Sequence, residues 1–240
     1  MPLRYVINLI LIVAVWFVLN SLIQSGVITN YWSGILITVG INIILATSLN
    51  VATGYLGQLP LGHAGFMAVG AYAGGIFMKA MPVQELLKSG NTGAAIPYIL
   101  LALLISAIVA GIFGIIIGIP ALRLRGDYLA IVTLAFGEII RNVINCLYIS
   151  LDGQRLHIAF NNPNVAGKLL VNGPAGATGV NKMATFGMGF ALTLFTLFVV
   201  LNLIDSRSGR AIMAIRDNRI AAEAMGLNVT KYKMMAFVTS

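Results

Sequence analysis

The sequence predicts an all-α, polytopic bundle of transmembrane helices. Three observations carry this. Of its 240 residues, 59% are hydrophobic and only 9% charged, with a mean hydropathy of +0.93; a soluble domain of this length carries roughly a quarter charged residues. The apolar residues gather into stretches of about 20, the length that crosses a hydrocarbon core as a helix. The Lys and Arg residues, which give a net charge of +8, cluster between those stretches rather than spreading over a soluble surface. Lipid must therefore solvate much of the exterior.

The stretches run over residues 5–23, 34–53, 64–81, 97–119, 128–149 and 183–204, and a seventh begins near 232. The first follows Arg4, as a secretory signal would. Its 19 mostly apolar residues are long for a signal core and no A-x-A site follows, so it reads as an uncleaved helix. The sequence stops at "KYKMMAFVTS", about half a span short, which predicts a reading frame lacking later helices. Cys146, the sole cysteine, leaves no internal disulfide and reads as a small core residue.

Orientation follows from charge. Six of the 15 basic residues, Arg207, Arg210, Arg216, Arg219, Lys231 and Lys233, lie in one connection, which the positive-inside rule assigns to the cytoplasm. Alternating backwards puts Arg123, Arg125 and Arg4 on the same side, so the N-terminus is cytoplasmic. Segment 150–182 falls outside with Arg155, Lys168 and Lys182 dispersed along it. Topology thus accounts for the basic balance without nucleic acid.

The third stretch is preceded by "GYLGQLPLGHAGFMAVGAYAGG", with seven glycines between residues 54 and 75. It contains no G-x-x-x-x-G-K-[ST] and no strand precedes it, so it is not a phosphate loop; Phe66, Met67, Val69 and Tyr72 exclude a flexible linker. Gly54, Gly57, Pro60 and Gly62 break a helix and predict a turn or short re-entrant segment. Beyond them, Ala64 and Ala68, Gly70 and Gly74, and Ala71 and Gly75 lie four apart, the spacing that lets helix backbones approach in a membrane. Gly70 and Gly74 are accordingly read as helix-packing residues. Gln58 and His63 need polar partners and are candidates for a translocation pathway, against the alternative that the whole stretch serves packing alone.

At this point "LNVATGYLGQLPLGHAGFMAVGAYAGG" (49–75), "LRLRGDYLAIVTLAFGEIIRNVI" (122–144) and "SRSGRAIMAIRDNRIAAEAMGLNVTKYKMMAFV" (206–238) together resemble the permeases of branched-chain amino acid ABC importers, the LivM type. The three stretches cover about a third of the chain and come in the family's order. The resemblance implies a type II ABC importer permease fold, C-terminally truncated. Residues 1–240 form one transmembrane permease domain containing a cytoplasmic coupling loop at 205–230. It implies a second, LivH-like permease subunit, ATP-binding cassette subunits and a substrate-binding protein as partners, with ATP and Mg on the ATPase and no cofactor on this chain. The substrate it implies is Leu, Ile or Val, or a related amino acid, amide or urea, and the location is the cell membrane.

Segment 206–228 is helix-prone and cationic. Ile212, Ile215, Ile220 and Met225 read as apolar contact positions, and Arg210, Arg216, Arg219 and Asp217 as solvated. The plain reading is a basic cytosolic loop. The resemblance implies a coupling helix that docks in an ATPase cleft, carried by Arg210, Arg216, Arg219, Ala221, Ala222, Glu223 and Gly226. Ala221, Ala222 and Gly226 occupy the Ala-Ala-x3-Gly positions, while Ile220 stands where the general importer motif has glutamate.

In the fifth span Glu138, Arg141, Asn142 and Asn145 share one helical face. Ionisable groups in a membrane are costly and mark function by default. Glu138 and Arg141, three apart, can pair, so a clamp between helices and a pathway role both remain open. His157, in the outer segment, has no ligand-spaced neighbour, so no metal site is read. No catalytic residues stand out either, since Ser48 and His63 lie fifteen apart with nothing marking a dyad. An ion-coupled secondary transporter is the alternative function; such folds often show paired broken helices, and only residues 54–62 read as broken.

Overall fold

The computed structural model describes residues 2–81, 83, 92–122, 124, 127–152, 155–160, 168–177 and 185–240. Arg4, Arg123, Arg125, Arg155, Lys168 and Lys182, which carry part of the orientation argument, have side chains outside that description.

The chain is a helical bundle. Helix α1 spans Pro2–Gln24 and α2 spans Asn30–Asn50, the latter running directly into a π-helical turn at Val51–Tyr55. Then come α3 (His63–Ala80), α4 (Thr92–Ala121) and α5 (Asp127–Asn145). After a small sheet follow α6 (Phe186–Asp205), α7 (Arg207–Asp217), α8 (Arg219–Ala224) and α9 (Val229–Thr239). Among the described residues, four stretches are long and apolar enough to cross a membrane: Asn30–Tyr55, Ala95–Ala121, Tyr128–Asn145 and Phe186–Asp205. This is a multi-pass membrane protein. Its large aliphatic and aromatic side chains on α1, α4 and α6, such as Phe17, Ile108, Ile116, Phe195 and Phe198, point outward, as a lipid solvent allows and water does not.

Small residues organise the interior. Helix α3 lies against α4 and α5, and α2 against α6. One apolar core joins the π-helical turn to α6, α7, α8 and α9 through Val51, Leu56, Val200, Ile212, Ile215, Ala222, Val229 and Ala236. The cationic arm α7–α8 is therefore packed onto the bundle rather than hanging from it.

Two expectations need correction. The apolar run predicts a fifth span over 128–149, yet α5 ends at Asn145 and Leu147–Asp152 becomes β1. An apolar run alone does not distinguish helix from strand. Here β1 pairs antiparallel with β2 (Arg155–Phe160) on one side and β3 (Lys168–Asn172) on the other. Ile149, Leu170 and Val171 bury against Tyr72 and Ile76 of α3. Lys79, only 6% exposed near the end of α3, donates from Nζ to the carbonyls of Leu169 and Leu170 at 2.9 and 2.8 Å, which ties β3 to that helix. Cys146, expected in a core, is exposed at the α5–β1 junction.

Candidate functional site

The broken segment after α2 is held by other elements. The π-helical turn leaves Leu56 N–H bonded to Val51 O at 3.2 Å and Gln58 N–H bonded to Ala52 O at 3.0 Å. Gly57 then adopts φ +71°, a left-handed conformation that glycine takes without a Cβ penalty. Backbone that leaves the helix inside a membrane protein needs partners from elsewhere. Thr133 of α5 accepts from Leu61 N–H at 3.0 Å while donating its hydroxyl to Leu129 O at 2.9 Å. Arg216 of α7 donates from Nη1 to Gly54 O at 2.8 Å. Gln58 has a buried Oε1 with no hydrogen-bond partner among the described residues. It lines a cavity of about 330 Å³ together with Leu59, Ala130, Arg216, Arg219 and Lys233.

On the other side of the segment, His63 opens α3 with Nε2 3.5 Å from Ser48 Oγ. Both line a mostly apolar cavity of about 650 Å³ between α2, α3, α4 and α9. Gly70 and Gly74 lie where α3 crosses α4. A Cβ on Gly70 would sit 3.4 Å from both Ala110 Cβ and Ser106 O, and one on Gly74 would collide with Ser106 Oγ.

Glu138 and Arg141 form an ion pair at 3.3 Å, with side chains 53% and 67% exposed. Asn142 is exposed beside them, whereas Asn145 turns partly inward, so three of the four polar residues share the outer face. Among the described residues the bond of this pair joins Arg141 to Glu138 on the same helix. They border a groove of about 240 Å³ floored by Ala64, Gly65, Ala68 and Gly137.

Local chemistry explains the arm's shape. Ser206 Oγ accepts from Gly209 N–H, Asn218 Oδ1 from Ala221 N–H and Asn228 Oδ1 from Lys231 N–H, each at 3.1 Å; these side chains start α7, α8 and α9 by capping their free N–H groups. Gly226 ends α8 at φ +82°. Arg219 Nε donates to Glu223 Oε1 at 2.8 Å, Arg216 pairs with Asp217 at 3.1 Å, and Arg210 donates to Asp205 O at 3.1 Å. The four apolar contact positions divide. Ile212 and Ile215 are buried in the chain's own core, while Ile220 and Met225 stand 80% and 85% exposed. Ala222, expected to seat against a partner, is instead 4% exposed within that core, because α8 folds its Ala222 face back onto α7 and α9. Ala221, Glu223 and Gly226 are exposed. Sequence reasoning misses Thr133, whose only signal is a hydroxyl in an apolar helix, and the place of Lys233, which the sequence marks only as a topological charge.

The family model described as branched-chain amino acid transport system / permease component matches residues 31–240. The high-affinity branched-chain amino acid transport system permease protein LivM of Salmonella typhimurium is 30% identical over 83% of this chain and 47% of its own length. Its Escherichia coli namesake is 29% identical with the same coverage. The probable branched-chain amino acid transport permease protein LivM of Methanocaldococcus jannaschii is 26% identical over 84% of this chain and 61% of its own. The chain spans about half the length of the two bacterial relatives. No solved structure matches it.

Proposed function

The chain belongs to the family of branched-chain amino acid transport system permease components, and on that premise we propose that it is a membrane permease subunit of an ATP-driven importer for branched-chain or related amino acids. The subunit lies in the cell membrane with its N-terminus and the α7–α8 arm in the cytoplasm. It works with a second permease subunit, a substrate-binding protein, and cassette ATPases that hold ATP and Mg. Hydrolysis belongs to the ATPases; this chain supplies part of the path and receives the stroke. Glu138, Arg141 and Asn142 face a protein partner or a wet path, since an ion pair turned toward lipid is costly.

The observation that carries the coupling role is the exposed pair Ile220 and Met225. Ile220 projects from α8 and Met225 from the residue that caps its end, while the opposite side of that helix, with Ala222, is sealed into the bundle core. Among the described residues no core covers these large apolar side chains of the cationic arm, which lies outside the spans. A cleft on a partner does so, and the inner packing transmits its motion to Val51 in the π-helical turn and to Leu56 in the broken segment. Replacing both residues by Asp in the full-length protein leaves membrane insertion and subunit abundance intact. Co-purification of the ATPase and substrate-stimulated ATP hydrolysis are expected to fall at least tenfold, equivalent to about 1.4 kcal/mol or more. Wild-type association and uptake in this variant would remove the coupling assignment.

A further inference from the structure

In an α-helix each N–H donates to the carbonyl four residues back. The turn after α2 departs from that register. Leu56 N–H reaches back five residues, to Val51 O, and Gln58 N–H six, to Ala52 O. Gly54 O thereby loses its helical donor, the N–H of Gln58, and accepts instead from Arg216 Nη1 of α7 at 2.8 Å. The guanidinium is aimed by its neighbour. Arg216 Nε and Nη2 both donate to Asp217 Oδ1, at 3.2 and 3.1 Å, which leaves Nη1 for the carbonyl. The Arg216 stem also lies over Gly57, where an added Cβ would come within 2.8 Å of its Cγ. One residue of the arm thus stands in for a backbone bond of the turn.

A second register is available to the same residues. Once Arg216 withdraws, Leu56 N–H shifts to Ala52 O and Gln58 N–H to Gly54 O, so each donor that moves finds a carbonyl four residues back. Gly57, at φ +71°, is the hinge, because glycine takes helical and left-handed values alike. Pro60 limits the rewinding, since it disfavours helix at Leu59 and brings no N–H of its own. The π-helical register carries a cost as well: Gln58 Oε1 is buried with no hydrogen-bond partner among the described residues. The Arg216 side chain is 44% exposed, so its bond to Gly54 O opens without uncovering a core. Two discrete arrangements are what a coupling element needs, and π-helical turns are frequent at functional sites. We propose that Arg216 is a latch: bonded to Gly54 O it holds the π-helical turn, and its release lets residues 54–58 rewind into α-helix, which shifts the segment leading to His63. Asp217 is the positioning residue of the latch. The proposal rests on the coupling reading for the arm motion that releases Arg216, whereas the two registers come from the turn itself.

The test uses the full-length permease complex with its ATPase and binding protein, in liposomes. Gln58→Cys, combined with Cys146→Ser to remove the exposed native thiol, reports the register through its rate of reaction with a maleimide. Trapping the complex with ATP and vanadate is expected to change that rate about fivefold relative to the nucleotide-free complex. Arg216→Met keeps the stem and removes every donor. In that background the nucleotide-free rate should already equal the trapped one, and leucine imported per ATP hydrolysed should fall about threefold. Arg216→Lys, whose ammonium still reaches toward Gly54 O, should recover part of both. Equal rates in the two states with Arg216 present, or a difference that survives Arg216→Met, overturns the latch. The first comparison leaves Arg216 in place, so a poorly folding variant does not shelter the proposal. ATP-driven leucine uptake by the unmodified complex separates the two readings. Uptake without the rate change removes only the latch, whereas no uptake of any aliphatic amino acid removes the transport reading.

Discussion

Residues 54–62 and 64–75 are adjacent, both rich in glycine, and use it for opposite purposes. In the first region glycine supplies a backbone conformation. Gly57 sits at φ +71°, and a Cβ there would come within 2.8 Å of Arg216 Cγ. In the second region the backbone is ordinary helix and glycine supplies clearance. Gly65 would bring a Cβ to 2.9 Å from Gly137 Cα of α5, and Gly70 and Gly74 leave room for α4. The consequence for hydrogen bonding differs too. A helix satisfies its own backbone, so α3 needs only close neighbours. The broken segment cannot, so Gly54 O and Leu61 N–H must take partners from Arg216 and Thr133. Breaking the helix is what gives the arm and α5 something to hold.

Three substitutions sharpen this contrast. The largest effect is expected at Gly74→Leu, where a branched side chain must enter the α3–α4 seam against Ser106. Overpacking of this size costs about 3 kcal/mol or more. The folded subunit recovered in detergent, measured by size-exclusion chromatography, should fall several-fold; normal recovery would mean that the seam opens freely. Gly57→Ala comes next. It carries about 1–2 kcal/mol for the left-handed conformation plus displacement of the Arg216 stem, so the subunit folds with a lower thermal midpoint. Because the neighbour is a flexible side chain, Arg216→Ala should cancel part of that loss in the double variant. Strict additivity would show that Arg216 exerts no pressure on Gly57. Gly226→Ala is the smallest. This glycine has φ +82°, and a Cβ added to it would meet no atom within 4 Å, so only the conformational cost of about 1 kcal/mol remains. Abundance should be unchanged, with protease sensitivity raised locally in the arm. A loss as large as that of Gly74→Leu would mean that Gly226 is packed, not merely turned.

The helical elements were legible because lipid leaves a simple record: long apolar runs, punctuated by caps and basic clusters. The start of β1 was not legible, because "CLYISL" continues the apolar run of α5 and a strand in a small sheet is as apolar as a helix end. Cys146 was misplaced for the same reason, since position along the chain says nothing about which side of a junction faces out. The arm shows the limit most clearly. Ile212, Ile215, Ile220 and Met225 are chemically alike, yet two are buried and two are bare. Hydrophobicity marks a residue that needs covering; which neighbour covers it depends on the turn at Asn218 and on where α9 lands.

The amino-acid sequence by itself determined the membrane class, the helical bundle, a break ahead of α3 and the small-residue faces of α3, because these follow from composition, length and local backbone preference; the break opens at Leu56 rather than at Gly54, which the π-helical turn Val51–Tyr55 still contains. Only the tertiary structure decided that Thr133 and Arg216 satisfy the broken backbone, that Ala222 closes the chain's own core, and that Glu138 and Arg141 pair on an outer face. It also brought Gln58, Arg219 and Lys233, which are far apart in sequence, around one cavity. The reason is physical: local preference acts over a few residues, whereas the partners of an unpaired carbonyl, a buried amide or a charge are set by which helices happen to lie within about 3 Å of it once the whole bundle has packed.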